Sequence, residues 1–218
     1  LGAFTGLIVA GVMGVYGFPV FAILLMAIVI AVLYCAAYGY TMEKVAYKPL
    51  RGAARLSPLI SAIGMSLFLQ NYIILAQTSD FLPFPELIPD FEFMEPVAHI
   101  FGSTDLVIVV ASSISMLALT LFIKFTKMGK AMRATAQNRK MAMLLGINAD
   151  KIISTTFIIG SSLAALGGVL VSTHSGQLNF MIGFIAGVKA FTAAVLGGIG
   201  SIPGAMLGGL FLGLTESY

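Results

Sequence analysis

The hydrophobic positions of this chain do not alternate with polar ones; they form long continuous runs. These cover residues 1–16, 19–40 (without a charge), 58–77, 106–123 and 152–171. A helix needs about 20 mostly apolar residues to cross about 30 Å of hydrocarbon. The runs are of that order, except the first, which is apolar from Leu1 and reads as having lost its start. Only helices and closed barrels satisfy their backbone inside lipid. Barrel strands alternate and these runs do not, so the pattern predicts transmembrane helices. Ser57 is a good N-cap before Pro58 in a first turn; Ser103, Thr104 and Asp105 precede the fourth run, and Asn148 and Asp150 the fifth.

The last apolar region, 188–214, has a different grain. It holds Gly197, Gly198, Gly200, Pro203, Gly204, Gly208, Gly209 and Gly213. Inside a helix Gly costs about 1 kcal/mol and Pro about 3 kcal/mol relative to Ala. The region therefore predicts two half-helices with a break at 197–204, each too short to span. They form either one broken span or a re-entrant hairpin. Gly204, Gly208 and Gly209 suit close helix packing, while Gly197, Gly198, Gly200 and Ser201 read as irregular backbone.

Composition agrees with the pattern. The chain of 218 residues is 59% hydrophobic and 10% charged, with a mean hydropathy of +1.01. Soluble domains are about 25% charged. Both ends, Leu1 and Tyr218, read as cut. Cys35 is the single cysteine and lies within an apolar run, so it reads as packing. No Cys, His and carboxylate cluster suggests a metal, and no cofactor is expected. His99 and His174 have no spaced partners and read as surface histidines. The chain has no Gly-x-x-x-x-Gly-Lys-Ser/Thr loop for ATP hydrolysis. Its spans carry no mid-span carboxylate of the kind ion-coupled transport uses.

Charge placement gives the orientation. Lys44, Lys48, Arg51 and Arg55 follow the second run, and Lys124, Lys127, Lys130, Arg133, Arg139, Lys140 and Lys151 lie between the fourth and fifth. Residues 79–105 hold six carboxylates and no Lys or Arg. The positive-inside rule then places both basic segments in the cytoplasm and 79–104 outside. Within 126–150, helix formers dominate from 130 to 145; Gly146 suits a helix C-terminus and Asn148 the next cap. Such a helix is either interfacial and amphipathic or a docking helix for a cytoplasmic partner.

The stretches VAYKPLR (45–51), LISAIGMSLFLQN (59–71), MGKAMRATAQN (128–138), LLGIN (144–148) and KAFTAAVLGGIGSIPGAMLGG (189–209) resemble the branched-chain amino acid ABC importer permeases, the LivH family. The resemblance covers nearly the whole chain. It implies one all-α transmembrane permease domain over 1–218, a polytopic helical bundle lacking the family's first and last membrane segments, in the bacterial inner (plasma) membrane. The pattern of Ala134 and Ala136 followed by Gly146 and Ile147 is similar to the loop with which such permeases contact their ATPase. By this resemblance Arg133, Ala134, Ala136, Asn138, Ala142, Gly146 and Ile147 lie at or near that contact, the small residues seating the helix and Arg133 and Arg139 meeting acidic or backbone acceptors.

The implied partners are a second related permease subunit, ABC ATPase subunits, an external amino-acid-binding protein and the lipid bilayer; no nucleic acid is expected. The acidic segment 79–104 is a candidate landing surface for the binding protein. Substrate-pathway candidates are Ser61, Gly64, Gln70 and Asn71 in the third run, and Lys189, Thr192, Gly197, Gly198, Gly200 and Ser201 in the last. The polar residues of the third run either join helices or line the pathway. Lys189 either snorkels from near a helix end or lines the pathway beside the helix break, where free backbone groups can recognise a zwitterion. The expected function is import of branched-chain amino acids, driven by partner ATPases. A urea or short-amide permease subunit, or a stand-alone secondary transporter or channel, are the alternatives.

Overall fold

A computed structural model describes residues 1–52, 57–77, 80–85, 103–198 and 200–217. Nine helices are described: α1 (Gly2–Val15), α2 (Val20–Met42), α3 (Ser57–Ala76), α4 (Ser103–Phe125), α5 (Lys127–Gln137), α6 (Arg139–Leu144), α7 (Ala149–Ser175), α8 (Ile182–Leu196) and α9 (Ile202–Ser217). A π-helical turn, Glu43–Tyr47, continues α2, and a 3-10 turn, Pro49–Gly52, follows it. Among the described residues, three helices are long and apolar enough to cross a membrane: Val20–Tyr47, Thr104–Phe125 and Ala149–Ser175. The chain is essentially all-α, as its runs predict. Its strand pair is minimal: β1 (Leu82–Pro83) lies antiparallel to β2 (Gln177–Leu178).

The packed heart is α1, α2 and α7. On α2 the buried residues are Ile23, Ala27, Ala31, Cys35 and Gly39, one every four positions. That spacing makes a single ridge along a helix, and small side chains on it let a neighbouring backbone come close. In lipid, where apolar burial drives helices together only weakly, such close packing is a main source of association. Cys35 sits in this ridge as a buried packing residue. Gly39 faces Ser161 and the Phe157 carbonyl of α7, and on α1 Gly2 and Gly6 face Ala165 and Val169.

The two ends of the bundle can be told apart. Ser154, early in α7, hydrogen-bonds Glu43 just past α2, so the basic segments after α2 and before α7 share one end. At the other end, Asp105 of α4 meets His174 at 2.9 Å, and Phe84 N–H donates to the Gly176 carbonyl. That is the end from which the acidic segment leaves. His174 thus has a partner in space that its sequence spacing hides. Of the acidic segment, 86–102 lies outside the described residues, as do His99 and Arg55.

The glycine-rich region folds as a hairpin. Helices α8 and α9 pack side by side and run antiparallel, since Gly197 abuts Gly204 while Ala193 abuts Gly208. With 15 and 16 residues, each is about 22–24 Å long against about 30 Å of hydrocarbon. Between them Gly198 (φ 90°) and Gly200 (φ 101°) take left-handed backbone conformations that side chains disfavour. Ser201 accepts from Gly204 N–H and caps α9. Gly197 departs from the irregular backbone expected of it. It is right-handed and helical in φ and ψ, and its missing Cβ serves close approach to Gly204.

Candidate functional site: an apolar cavity above a basic corner

A cavity of about 500 Å³ opens between α1, α2, α3, α7 and α8. Its α8 wall is Ile182, Gly183, Ala186, Gly187 and Ala190, a one-face helical spacing. Glycine and alanine also make most of the α7 wall, so backbone rather than bulk shapes the space. Among the described residues no charged side chain lines it. Its polar side chains are Tyr38, Ser161 and Asn179. The Ser161 hydroxyl donates back to the Phe157 and Ile158 carbonyls, which leaves it an acceptor. The Asn179 carbonyl oxygen accepts from Met181 N–H, which leaves its amide N–H groups to point elsewhere. The Tyr38 hydroxyl stands 3.2 Å from that of Tyr34 and 3.5 Å from that of Tyr72, a phenol chain joining α2 to α3. The Tyr38 O–H donates to Tyr72 and accepts from Tyr34, so the space is an apolar slot whose side-chain hydrogen-bond donor is the Asn179 amide.

None of the ten pathway candidates drawn from the sequence lines this cavity. Asn71 donates to the Leu67 carbonyl and Gln70 lies 3.5 Å from Ser66, so α3 satisfies these groups along its own axis. Gly64 faces open space. Thr192 donates to the Val188 carbonyl. Gly197, Gly198, Gly200 and Ser201 build the hairpin turn. Lys189 is mid-helix rather than near an end, one turn before Ala193 on the face turned to α9, and pairs with Glu216 at 2.5 Å. Tyr38 and Asn179 escaped sequence reasoning because the first reads as an interfacial aromatic and the second as a loop residue.

The basic end carries the second feature. The segment expected to be one helix over 130–145 is two, broken at Asn138, whose side chain caps α6 by accepting from Met141 N–H. The break follows from Asn138's extended backbone (φ −153°, ψ 102°). Thr126 caps α5 and Asn148 caps α7 in the same manner. Helix α6 ends at Gly146 (φ 80°), with Ile147 N–H donating to Ala142 and Gly146 N–H to Met143, the paired bonds of a Schellman motif. So Gly146 and Asn148 act as the sequence predicts.

The faces of this corner are now defined. Ala142 is 2% exposed and packs inward, which removes it from any contact surface. Arg133 donates to the Ile123 carbonyl of its own chain and fastens α5 to the end of α4. Gly129 lets α5 lie against the Ile123 backbone. Arg139 pairs with Asp150 at 3.1 Å. Each arginine thus has one terminal nitrogen engaged within the chain. What the corner presents outward is Met141, Met143, Leu144 and Leu145, the last two 81% and 79% exposed, beside exposed Ala136, Asn138 and Gly146.

Comparison with known proteins gives one consistent result. The family described as the permease component of branched-chain amino acid transport systems matches residues 1–218. The chain is 48% identical to the high-affinity branched-chain amino acid transport system permease protein BraD of Pseudomonas aeruginosa, over 99% of this chain and 71% of that one. It is 50% identical to the corresponding permease protein LivH of Escherichia coli K12, over 86% of this chain and 62% of that one. A more distant similarity, 32% over 45% of this chain and 32% of the relative, is to the autoinducer 2 import system permease protein LsrC of Photorhabdus laumondii. No solved structure matches.

Proposed function

The chain belongs to the branched-chain amino acid transport permease family, and from that premise we propose that it is the membrane-spanning subunit of an ABC importer for branched-chain amino acids. The observation that carries the substrate class is the cavity: about 500 Å³, lined by glycine, alanine and larger apolar residues such as Phe4, Leu69, Ile73 and Phe180, and without a charged side chain among the described residues. An aliphatic side chain gains from such a wall about 25 cal/mol for each Å² it removes from water. A free carboxylate or ammonium substrate would have no counter-charge there. A zwitterion is neutral overall, and its carboxylate finds donors on the Asn179 amide. Urea or a short amide would leave most of the apolar wall unfilled. Family membership likewise sets aside the stand-alone secondary transporter or channel.

In this reading ATP is hydrolysed by separate ATPase subunits that dock on the α5–α6 corner through Met141, Met143, Leu144 and Leu145. The pattern suits helix-in-groove recognition. Ala136, Asn138, Gly146 and Ile147 frame that patch. A second permease subunit and an external binding protein complete the assembly.

The test uses the full-length protein with its partner subunits and binding protein in proteoliposomes. Leucine uptake is expected to require ATP, and Leu145→Glu is expected to abolish it and to prevent co-purification of the ATPase while the protein still inserts. Uptake without ATP would overturn the importer reading. Retained ATPase binding in Leu145→Glu would return the corner to an interfacial role against headgroups.

A further inference from the structure

The ridge of small residues on α2 ends in a residue of opposite character. Ile23, Ala27, Ala31, Cys35 and Gly39 step by four, and the next step is Glu43, which is fully buried. Ser154 of α7 donates a 2.6 Å hydrogen bond to its carboxylate across 111 positions of sequence. Burying a carboxylate carries a desolvation penalty, and an apolar pair of similar volume commonly packs as well or better. Packing of α2 on α7 therefore does not by itself call for Glu43.

Three further observations surround this pair. The backbone from Glu43 to Tyr47 is π-helical, a form found mostly as single turns and frequently at functional sites. Gly39 and Met42, just before Glu43, line the cavity. Ser154 lies early in α7, whose first residue, Ala149, follows directly on the corner closed by Gly146 and Asn148. One hydrogen bond thus joins the helix that leaves the corner to the turn that ends the cavity wall.

We propose that Glu43 and Ser154 form the joint through which movement of the cytoplasmic corner reaches the inner end of the cavity. Glu43 is a positioning residue and touches no substrate. Helix α7 carries Ser154 with the corner; Ser154 carries Glu43; the π-turn yields, and Met42 shifts at the cavity's inner end. Coupling of this kind requires an element with two discrete arrangements, here the π-turn with its bond to α7 made or broken. The inference rests on the importer reading for its motive force, and the joint itself can be judged without it.

The experiment compares wild type, Glu43→Gln, Ser154→Ala and the apolar pair Glu43→Leu with Ser154→Ala, each in the full complex with its binding protein. ATP hydrolysis and leucine uptake are measured together, with amide hydrogen exchange over residues 39–47. The apolar pair is expected to assemble and hydrolyse ATP, yet to import about 10-fold less leucine per ATP, within the usual range of coupling between sites. Glu43→Gln keeps the acceptor and is expected to stay near wild type. Exchange over 39–47 is expected to rise in Ser154→Ala and not in Glu43→Gln. An apolar pair with full import per ATP, or parallel loss of hydrolysis and import, would make the pair merely structural and overturn the joint. Unchanged exchange in Ser154→Ala would overturn it even if wild-type uptake proved independent of ATP, the outcome that defeats the importer reading alone.

Discussion

Several helix contacts in this protein are built on missing Cβ atoms, and two of the pairs use them differently. In the α2–α7 pair, Gly39 makes room for a side chain, Ser161. The pair joins two long spans and is pinned at its end by Glu43 and Ser154. In the α8–α9 hairpin the glycines make room for backbone: Gly197 and Gly204 face each other's main chain, and Gly208 faces the Ala193 carbonyl. A side chain can rotate or be exchanged for a smaller one, whereas a backbone carbonyl cannot. The spans therefore tolerate adjustment, and the hairpin is an all-or-none closure whose two short helices cannot cross the bilayer separately.

The sharpest way to break this contrast is Gly204→Ala. The added methyl meets the Gly197 carbonyl, so a cost of about 3 kcal/mol is expected, the upper end for overpacking. Thermal unfolding of the purified complex would register it, and no single partner substitution should rescue it. Next in size is Lys189→Met, which leaves the half-exposed Glu216 without its 2.5 Å partner. A loss of about 2–3 kcal/mol is expected, on the scale of a charge held in a membrane helix. Lys189→Met with Glu216→Gln should recover most of it, and equal losses in single and double variants would mean that the pair faces water. The smallest effect is expected from Gly39→Ala, about 1–2 kcal/mol. Combined with Ser161→Gly it should cost less than alone, because the side chain the new methyl would meet is gone and only the Phe157 carbonyl, 3.2 Å from it, remains close. If that swap fails as Gly204→Ala does, the distinction between the two pairs is lost.

What could be read in advance was whatever depends on local sequence. The runs at 106–123 and 152–171 lie within helices at Ser103–Phe125 and Ala149–Ser175, and that at 19–40 matches Val20–Met42 but for its N-cap Pro19, because in lipid a continuous apolar stretch has one way to satisfy its backbone. Gly146 and Asn148 were legible for a related reason: a left-handed helix end and an N-cap each call for few residue types. The division of 130–145 at Asn138 was missed because helix propensity runs through it; the cap bond to Met141 N–H overrides that propensity. Glu43 was legible in principle, since the step of four from Ile23 to Gly39 ends on it. It was hidden by the basic residues that follow, which mark the place only as the basic end of the bundle.

The cavity lining was the least legible. Polar residues in apolar runs drew attention to Gln70, Asn71, Thr192 and Lys189, and the helices engage these along their own axis or against one neighbour. The cavity is a property of which faces are left unfilled when five helices meet, and its wall is mostly residues with nothing to mark them, such as Ala186, Gly187 and Ala190. By itself, then, the sequence determined the membrane as solvent, the helices and their caps, the two ends of the bundle and the family. Only the tertiary structure decided that the glycine-rich region doubles back, that Ala142 turns inward and Arg133 folds back on Ile123, and that Glu43 lies against Ser154. The reason is physical: solvent and backbone hydrogen bonding act on each segment alone, whereas close approach, cavity and buried charge exist only between segments far apart in the chain.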